Sequence, residues 1–290
     1  MAEISSSDVV KLRKMSGQGM MDCKIALAEA NGDMDKAMEV LRKKGLATLA
    51  KRAERETTEG IVIEWKSLNG KMAGLAVLRC ETDFAARSDD FAKLVNDIKE
   101  AVEKSNADEG GDNLRQTIVN GRKLGDMLTE VAGKTGEKVQ LVQKEYERYK
   151  LTGPGLIATY LHFNGKVGAM VQIDTNDDAV AASEVMKQTA RDIAMHITAA
   201  NPLALDKTGI DAKTIESEKS IYAEQVKNKP ANIVEKIVEG KLQKFLAENC
   251  LLYQQFVKDN TKTVSAVLDE AAKKADGKAK ITKFVRFSVG

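Results

Sequence analysis

The residues of this sequence that could do chemistry do not assemble into a catalytic set. Gly133-Lys134-Thr135 resembles the end of a phosphate-binding loop, but that loop needs a glycine five positions before Gly133, where this chain has Leu128. His162 and His196 share no metal-ligand spacing with each other or with a cysteine, and no GxSxG nucleophile turn occurs. We therefore expect no side-chain catalysis, no metal and no cofactor. The Gly-Lys-Thr segment is expected to be a plain loop after a helix, and His196 a packed or capping residue near a helix end.

The most unusual stretch is CETDFAARSD, residues 80–89, where an acidic and aromatic corner separates a strand-like run from a helix-like run. Phe84, Phe91 and Ile98 are spaced by seven residues, so one continuous helix would bury Phe84 in the core. Ser88 followed by two aspartates is instead a strong N-cap signal, which starts the helix after Phe84. The residues alone leave open whether Phe84 is buried or exposed.

The charge pattern favours a protein partner over nucleic acid. The formal net charge is +2, so no overall electrostatic attraction to nucleic acid or membrane is expected. The basic stretch 42–55 is interrupted by Glu54 and has no aromatic residues for base stacking, which favours a solvated helix face. A helix that begins Met20-Met21-Asp22 lacks the arginine or asparagine of a DNA-recognition helix. Paired methionines at an exposed corner favour adaptable hydrophobic docking, with core packing as an open alternative for one of them.

Cysteine usage and hydropathy indicate the compartment. Cys23, Cys80 and Cys250 are odd in number and far apart, with no CxxC motif, as expected for reduced thiols in a cytosol. No apolar run approaches the roughly 18 residues that a membrane span requires. The first ten residues lack the basic start and apolar segment of a signal peptide. We expect a soluble cytoplasmic protein.

The element pattern predicts an α+β protein with a small helical module at its N-terminus. Residues 1–57 are expected to hold three short helices, each ending at a glycine, the third at Gly45, followed by a basic helical linker. Residues 58–152 begin with a β-hairpin around Asn69-Gly70, a dipeptide that supplies the positive φ angles of a type I′ turn. A helix with an apolar stripe follows from about Asp89, then further helix and a strand.

Residues 153–290 repeat this plan, with a hairpin around Asn164-Gly165 and a helix from about Asp178 to Ala200. The shared order of strand, Asn-Gly-Lys, strand, acidic corner and helix indicates two related subdomains. Residues 211–246 are predicted to form an antiparallel helical hairpin, joined at Lys229-Pro230, that projects from the second subdomain. The terminal FVRFSVG is expected to be the strand that completes the second sheet.

Several long motifs together resemble the bacterial translation elongation factor Ts family. They occur in order between residues 3 and 290 and are LRKMSGQGMMDCKIALAEANGDMDKAMEVLRKKG, CETDFAARSDDF, IAMHITAANP, IVEKIVEGKLQKF and FVRFSVG. The resemblance implies a ubiquitin-associated-like N-terminal module followed by two related subdomains. It also implies a guanine-nucleotide exchange factor for the GTPase elongation factor Tu, located in the cytoplasm, with no side-chain catalysis and no direct contact with nucleic acid or a membrane.

The resemblance also assigns roles to individual residues. In that family a Thr-Asp-Phe corner inserts into elongation factor Tu, disturbs its Mg²⁺ site and releases GDP. This role is implied for Thr82, Asp83, Phe84 and Ala85, although Ala85 stands where the family more often has valine. Further contacts with the GTPase are implied for three residues of the N-terminal module and one beside the second hairpin turn: Arg13, Met20, Met21 and His162.

A different class of function fits the same elements. The sheets and the helical hairpin could serve as a non-catalytic adaptor or dimerisation scaffold that joins partners without altering their ligands. A measurement of stimulated nucleotide release separates the two classes, because a scaffold would leave the release rate of a bound GTPase unchanged.

Overall fold

The computed structural model describes residues 4–16 and 18–290. It is an α+β protein in which a helical N-terminal module precedes two similar halves, each built from an antiparallel sheet and helices. The predicted fold class is therefore confirmed. Within these ranges, no helix combines the length and the apolar character that a membrane span would need.

Three helices form the N-terminal module: α1 (Ser6–Ser16), α2 (Met20–Glu29) and α3 (Met34–Lys51). Small and aliphatic side chains at helical spacing fill the space between them, including Val9, Leu12, Cys23, Ala26 and Leu27. α2 ends just before Asn31 and Gly32, which both have positive φ, so the predicted stop at Gly32 is confirmed. The stop predicted at Gly17 lies outside the described residues.

The prediction that the third helix ends at Gly45 is wrong, because α3 continues through this glycine to Lys51. Gly45 lies where α3 crosses α7 (Leu124–Thr135), opposite Gly133. A Cβ atom on Gly45 would lie 2.7 Å from the main-chain oxygen of Thr129. The missing side chain therefore allows the two helices to approach closely, and this packing outweighs the weak helix propensity of glycine.

The first half has a three-stranded antiparallel sheet in the order β1-β2-β5. With α7, its elements are β1 (Glu59–Lys66), β2 (Met72–Cys80), α4 (Asp83–Ala86), α5 (Asp89–Lys104), α6 (Gly111–Leu114), β3 (Ile118–Val119), β4 (Arg122–Lys123) and β5 (Val139–Lys150). Asn69-Gly70 lies in the turn between β1 and β2 as predicted, but the type I′ turn is wrong, because Gly70 has positive φ (+67°) and Asn69 does not. The N–H of Gly70 instead donates to the oxygen of Ser67 at 3.0 Å, so the turn starts two residues before Asn69. The β3–β4 hairpin around Asn120-Gly121 was not predicted. The expectation of a loop at Gly133-Lys134-Thr135 is wrong, because this segment is the last turn of α7.

The second half has a sheet in the order β10-β7-β6. Its elements are β6 (Gly155–Leu161), β7 (Val167–Thr175), α8 (Asp178–Ala182), α9 (Glu184–Ala200), α10 (Ala212–Gln225), α11 (Ala231–Asn249), β8 (Gln255–Phe256), β9 (Asp259–Thr263), α12 (Val264–Lys274) and β10 (Ala279–Ser288). The predicted terminal strand and helical hairpin are confirmed. The helix predicted from Asp178 to Ala200 is instead two helices, because Ser183 has extended backbone, which interrupts the helix, and its side chain caps α9.

The two sheets pack face to face and carry helices on their outer faces. Apolar side chains from both sheets form the layer between them: Val62, Leu75, Val77, Tyr149, Met170, Val285 and Phe287. The opposite face of β2 packs against α5 and α7, and the opposite face of β7 packs against α9 and α12. This stacking fixes the ends of β2 and β7, from which the candidate site residues emerge.

Candidate functional site

The acidic and aromatic corner is a single helical turn held between two capping residues. Thr82 precedes α4, and its hydroxyl accepts a hydrogen bond from the main-chain N–H of Ala85 at 3.3 Å. Ser88 separates α4 from α5 and accepts a hydrogen bond from the N–H of Phe91 at 3.2 Å. The helix start predicted at Ser88 is confirmed, and the short turn before it was not predicted.

The break at Ser88 explains why Phe84 is exposed. Phe91 and Ile98 are buried on the inner face of α5, and a continuous helix would have placed Phe84 in line with them. Extended backbone at Ser88 (ψ 152°) interrupts that helix, so the helical phase starts again at residue 89. In the separate turn it is Ala85 that faces the core and is buried, which leaves the side chain of Phe84 82% exposed.

Two carboxylates fix the start of this corner. Glu137 accepts hydrogen bonds from the N–H of Thr82 at 3.1 Å and from its hydroxyl at 2.7 Å. Glu81 accepts from the guanidinium of Arg52 at 2.7 Å and from the N–H of Lys138 at 2.6 Å. Burial opposes ionisation of Glu81, but these two donors outweigh it and lower its pKa. The exposed phenyl ring therefore stands on an anchored backbone.

Asp83 lies on the same turn, beside the exposed ring. Its carboxylate is about half exposed and forms an ion pair with Arg87 at 3.1 Å. Cys80, at the end of β2, is fully buried, and burial together with the nearby Glu137 carboxylate raises the pKa of its thiol to about 12. This thiol is therefore protonated at neutral pH and is a poor nucleophile.

A second exposed apolar surface lies on the N-terminal module. Met20 and Met21 occupy the first turn of α2, and Met21 is 67% exposed. Arg13 is exposed on α1. Sequence reasoning missed four other exposed apolar residues of this module: Val10, Met15, Ile25 and Leu46. The exposure of Ile25 could have been predicted, since Cys23, Ala26 and Leu27 already account for the inward face of α2.

The second hairpin turn carries His162 and an aromatic residue that sequence reasoning missed. His162 is half-buried, with Nδ1 at 3.4 Å from the hydroxyl of Tyr160. Its ring lies against that of Phe163, with centroids 4.4 Å apart, and Phe163 is 92% exposed. A large aromatic residue directly before Asn164-Gly165 was the available signal, because a hairpin tip gives it nothing to pack against.

Main-chain and ionic contacts join this turn to the start of β1, close to the corner. The N–H of Val62 donates to the oxygen of Gly165 at 2.8 Å, and Lys166 forms an ion pair with Glu59. Glu59 is in turn the sheet partner of Cys80, two residues before Thr82. Phe84 and the His162–Phe163 pair therefore belong to the same end of the stacked sheets.

The N-terminal module reaches the corner through α3 and α7. The side-chain amide of Gln18, two residues before Met20, donates to the main-chain oxygen of Glu130. Lys134, one turn further along α7, forms ion pairs with Glu130 and with Asp90 at the start of α5. These contacts tie Met20 and Met21 to the same framework as the corner. Burial lowers the pKa of Lys134, but its carboxylate partners outweigh burial and raise it.

The histidine in α9 is a packed residue, as predicted. His196 is buried, its Nε2 lies 3.0 Å from the side-chain oxygen of Gln254, and its Nδ1 accepts a hydrogen bond from the N–H of Val257 at 3.2 Å. Burial lowers its pKa. Among residues 4–16 and 18–290, no group of three or more histidine, cysteine or acidic side chains could hold a metal ion.

Comparisons with known proteins agree on one family. Residues 81–290 match the family described as Elongation factor TS. A protein named Elongation factor Ts from a Nitratiruptor species is 44% identical over 99% of this chain and 93% of its own length. Proteins of the same name from Clostridium perfringens and Chlorobium phaeobacteroides are 40% and 39% identical, over 99% and 100% of this chain and 93% and 100% of their own lengths.

The fold, the outward-facing site and these similarities define a translation elongation factor, a protein of the class that acts in protein biosynthesis. The chain belongs to the elongation factor Ts family.

Proposed function

We propose that this protein is a guanine-nucleotide exchange factor for elongation factor Tu and that it acts in the cytoplasm. The observation that supports this most directly is Phe84, a large apolar side chain that is 82% exposed on an anchored turn. An exposed ring on a rigid support can enter a partner without first losing backbone freedom, which lowers the entropic cost of binding. No side-chain catalysis, metal or cofactor is part of this proposal.

Thr82, Asp83 and Phe84 would approach the Mg²⁺ site of the GTPase. Mg²⁺ demands near-ideal octahedral oxygen geometry, so a small displacement of a supporting element weakens its binding. Phe84 would displace that element, and Asp83 would compete for polar groups near the phosphates. Ala85 would act differently, because its side chain is buried beneath the turn and supports the ring instead of contacting the partner.

The energy required shows that Phe84 cannot act alone. A GTPase with a nanomolar Kd for GDP is stabilised by about 12 kcal/mol, and accelerating release by three to four decades lowers the barrier by about 4 to 5.5 kcal/mol. Burying one phenylalanine contributes about 1.5 to 3 kcal/mol. The remainder would come from the surfaces that carry Arg13, Met20, Met21 and His162.

Coupling between the two ligands explains why such a protein would release its partner. If the exchange factor weakens GDP binding, nucleotide must weaken binding of the factor by the same ratio. Rebinding of a nucleotide would then expel the factor and complete the exchange. A non-catalytic adaptor or dimerisation scaffold has no such coupling.

The test is release of a fluorescent GDP analogue from elongation factor Tu, with and without this protein. The intact chain is expected to accelerate release, and Phe84→Ala to lose most of that acceleration at an almost unchanged melting temperature. Leu68→Ala is the matched control, since Leu68 is fully exposed at the opposite end of β2, in the turn that joins it to β1. Unaltered release by the intact chain would favour the adaptor, and equal loss in both variants would remove Phe84 from the mechanism.

A further inference from the structure

The strand β6 has an open edge. It is the last strand in the order β10-β7-β6, and it pairs only with β7. The oxygen of Pro154 accepts from the N–H of Thr175 at 3.1 Å, and the N–H of His162 donates to the oxygen of Val167 at 2.9 Å. Because hydrogen-bonding direction alternates along a strand, the even-numbered residues of β6 point their main-chain groups at β7.

The odd-numbered residues therefore direct their main-chain groups away from the sheet. Gly155, Ile157 and Thr159 present N–H and C=O groups at this edge, and within residues 4–16 and 18–290 none of these groups has a hydrogen-bond partner. Ile157 packs into the layer between the two sheets. Gly155 and Thr159 are buried, and the Thr159 hydroxyl donates to Glu64, so this edge is recessed. Such a row of unpaired groups is a template for another strand.

A groove of about 490 Å³ runs along this edge. Five consecutive residues, 155–159, form its floor. The turn between β1 and β2, with Lys66 and Lys71, forms one wall. The other wall is formed by α8 and the first half of α9, with Lys187 and Arg191. Five strand residues span about 16 Å, which is enough for a short extended segment.

The walls of this groove carry mostly positive charge. Four of its five ionised lining side chains are cationic, Lys66, Lys71, Lys187 and Arg191, and the fifth is Asp178. Carboxylates partner three of the cations, because Glu64 pairs with Lys66, Asp178 with Lys71 and Glu184 with Lys187. Arg191 is exposed and forms no salt bridge with the described residues.

We propose that this groove binds an extended acidic segment of a partner protein, which adds to the second sheet as a strand beside β6. Its main chain would bond to Gly155, Ile157 and Thr159, and its carboxylates would contact Arg191 and the neighbouring lysines. Strand addition takes affinity from main-chain bonds and specificity from side chains. A peptide fits better than RNA, because the described residues that line the groove include no aromatic side chain for base stacking.

The groove is separate from the corner that carries Phe84. It lies at the Lys66–Lys71 turn of the β1–β2 hairpin, whereas Cys80 and the corner lie at the opposite end of β2. Nine residues of extended strand separate these ends by about 30 Å. Both surfaces could therefore be occupied at once, and loss of one activity can be measured without loss of the other.

The first test is fluorescence anisotropy with a labelled octapeptide of alternating glutamate and valine at low salt. The full chain is expected to bind it, and the same peptide with lysine in place of glutamate is expected not to bind. Arg191→Glu is expected to weaken binding at least fivefold. Lys274→Glu is the matched control, an equal charge change at an exposed lysine of α12 outside the groove, and it is expected to leave binding within twofold.

Amide exchange measured by NMR separates strand addition from general charge attraction. Saturating peptide is expected to slow exchange of the N–H groups of Ile157 and Thr159. Leu156 and Ala158 are internal references, because their N–H groups already bond to β7. Stimulated GDP release by Arg191→Glu is expected to equal that of the unaltered chain, so failure here is distinguishable from failure of the exchange function.

Four results of the peptide experiments would overturn the proposal. They are absence of peptide binding up to millimolar concentration, equal weakening by Lys274→Glu, unchanged exchange at Ile157 and Thr159, and displacement of the peptide by a short single-stranded RNA at lower concentration. Self-association that occupies the groove would also overturn it, seen as sedimentation of a dimer that Arg191→Glu abolishes.

Discussion

Glu137 accepts two hydrogen bonds from Thr82, one from the main-chain N–H at 3.1 Å and one from the hydroxyl at 2.7 Å. This pair joins the segment just before β5 to the turn that presents Phe84, across 55 residues of sequence. The same hydroxyl accepts from the N–H of Ala85 and so caps the turn. One carboxylate thus holds the residue that starts the corner, and the orientation of Phe84 depends on it.

Removal of that carboxylate is expected to impair both stability and exchange. Glu137→Ala leaves both donors of Thr82 without their partner, at a cost of about 1 to 3 kcal/mol in the free energy of unfolding. If the free energy that favours the ordered corner falls by about 1 kcal/mol, stimulated GDP release is expected to be about fivefold slower. Urea unfolding and the release assay measure the two effects. Glu235→Ala, at an exposed site on α11, is the control expected to change neither.

The serine that separates α4 from α5 is expected to control the direction of Phe84. Ser88→Ala removes the cap of α5, which costs about 1 kcal/mol. It also removes the signal that interrupts the helix, so that Phe84 can rotate toward the stripe of Phe91. The melting temperature, measured by circular dichroism, and the rate of stimulated GDP release are both expected to fall.

The second half of the chain provides a matched control for this change. Ser183 caps α9 as Ser88 caps α5, and its hydroxyl accepts from the N–H of Met186 at 3.4 Å. Ser183→Ala is expected to lower the melting temperature to a similar extent while leaving exchange intact. If both variants lose exchange equally, the effect of Ser88 is one of global stability and the proposed control of Phe84 is wrong.

Glycine-to-alanine changes in two helices are expected to change the free energy of unfolding in opposite directions. In α11, nothing lies within 4 Å of a Cβ built on Gly240, so Gly240→Ala is expected to stabilise by about 0.5 to 1 kcal/mol. In α3, a Cβ on Gly45 would lie 2.7 Å from the oxygen of Thr129, so Gly45→Ala is expected to push α3 away from α7.

The displaced module would alter partner binding as well as stability. Gly45→Ala is expected to lower the melting temperature and to weaken the complex with elongation factor Tu, because the surface of Met20 and Met21 moves relative to the corner. Isothermal titration calorimetry measures that affinity. Affinity equal to that of Gly240→Ala would show that the position of the N-terminal module does not matter for the complex.

The same glycine shows where prediction from sequence stops. Local signals were read correctly where the chain's own neighbours decide the structure, as at the Ser88 cap and in the place, though not the type, of the turn at Asn69-Gly70. Gly45 was misread because its role depends on α7, more than eighty residues away, which no local pattern reports. The burial of Phe84 stayed open for a related reason, since its spacing with Phe91 is meaningful only if one helix connects them.

The candidate site was predictable in its parts but not in its arrangement. Resemblance to a family supplied the corner, the methionines and His162 as separate segments. Their connection through Glu59 and Lys166, and the exposure of Phe163, depend on how the two sheets stack. The groove beside β6 likewise joins residues from a turn, a strand and a helix, and only the tertiary structure brings them together.

His196 is expected to make stability fall with acidification. Burial lowers its pKa, so the folded protein favours the neutral ring, in which Nε2 donates to Gln254 and Nδ1 accepts from Val257. A histidine with a lowered folded-state pKa contributes fully above its unfolded-state pKa of about 6.5, and that contribution is lost as pH falls below it, by up to about 1.4 kcal/mol per pH unit. Urea unfolding between pH 7.5 and 5.5 measures this loss. His196→Gln is expected to flatten it. An identical pH slope in the unaltered chain and His196→Gln would show that carboxylates alone cause the acid sensitivity.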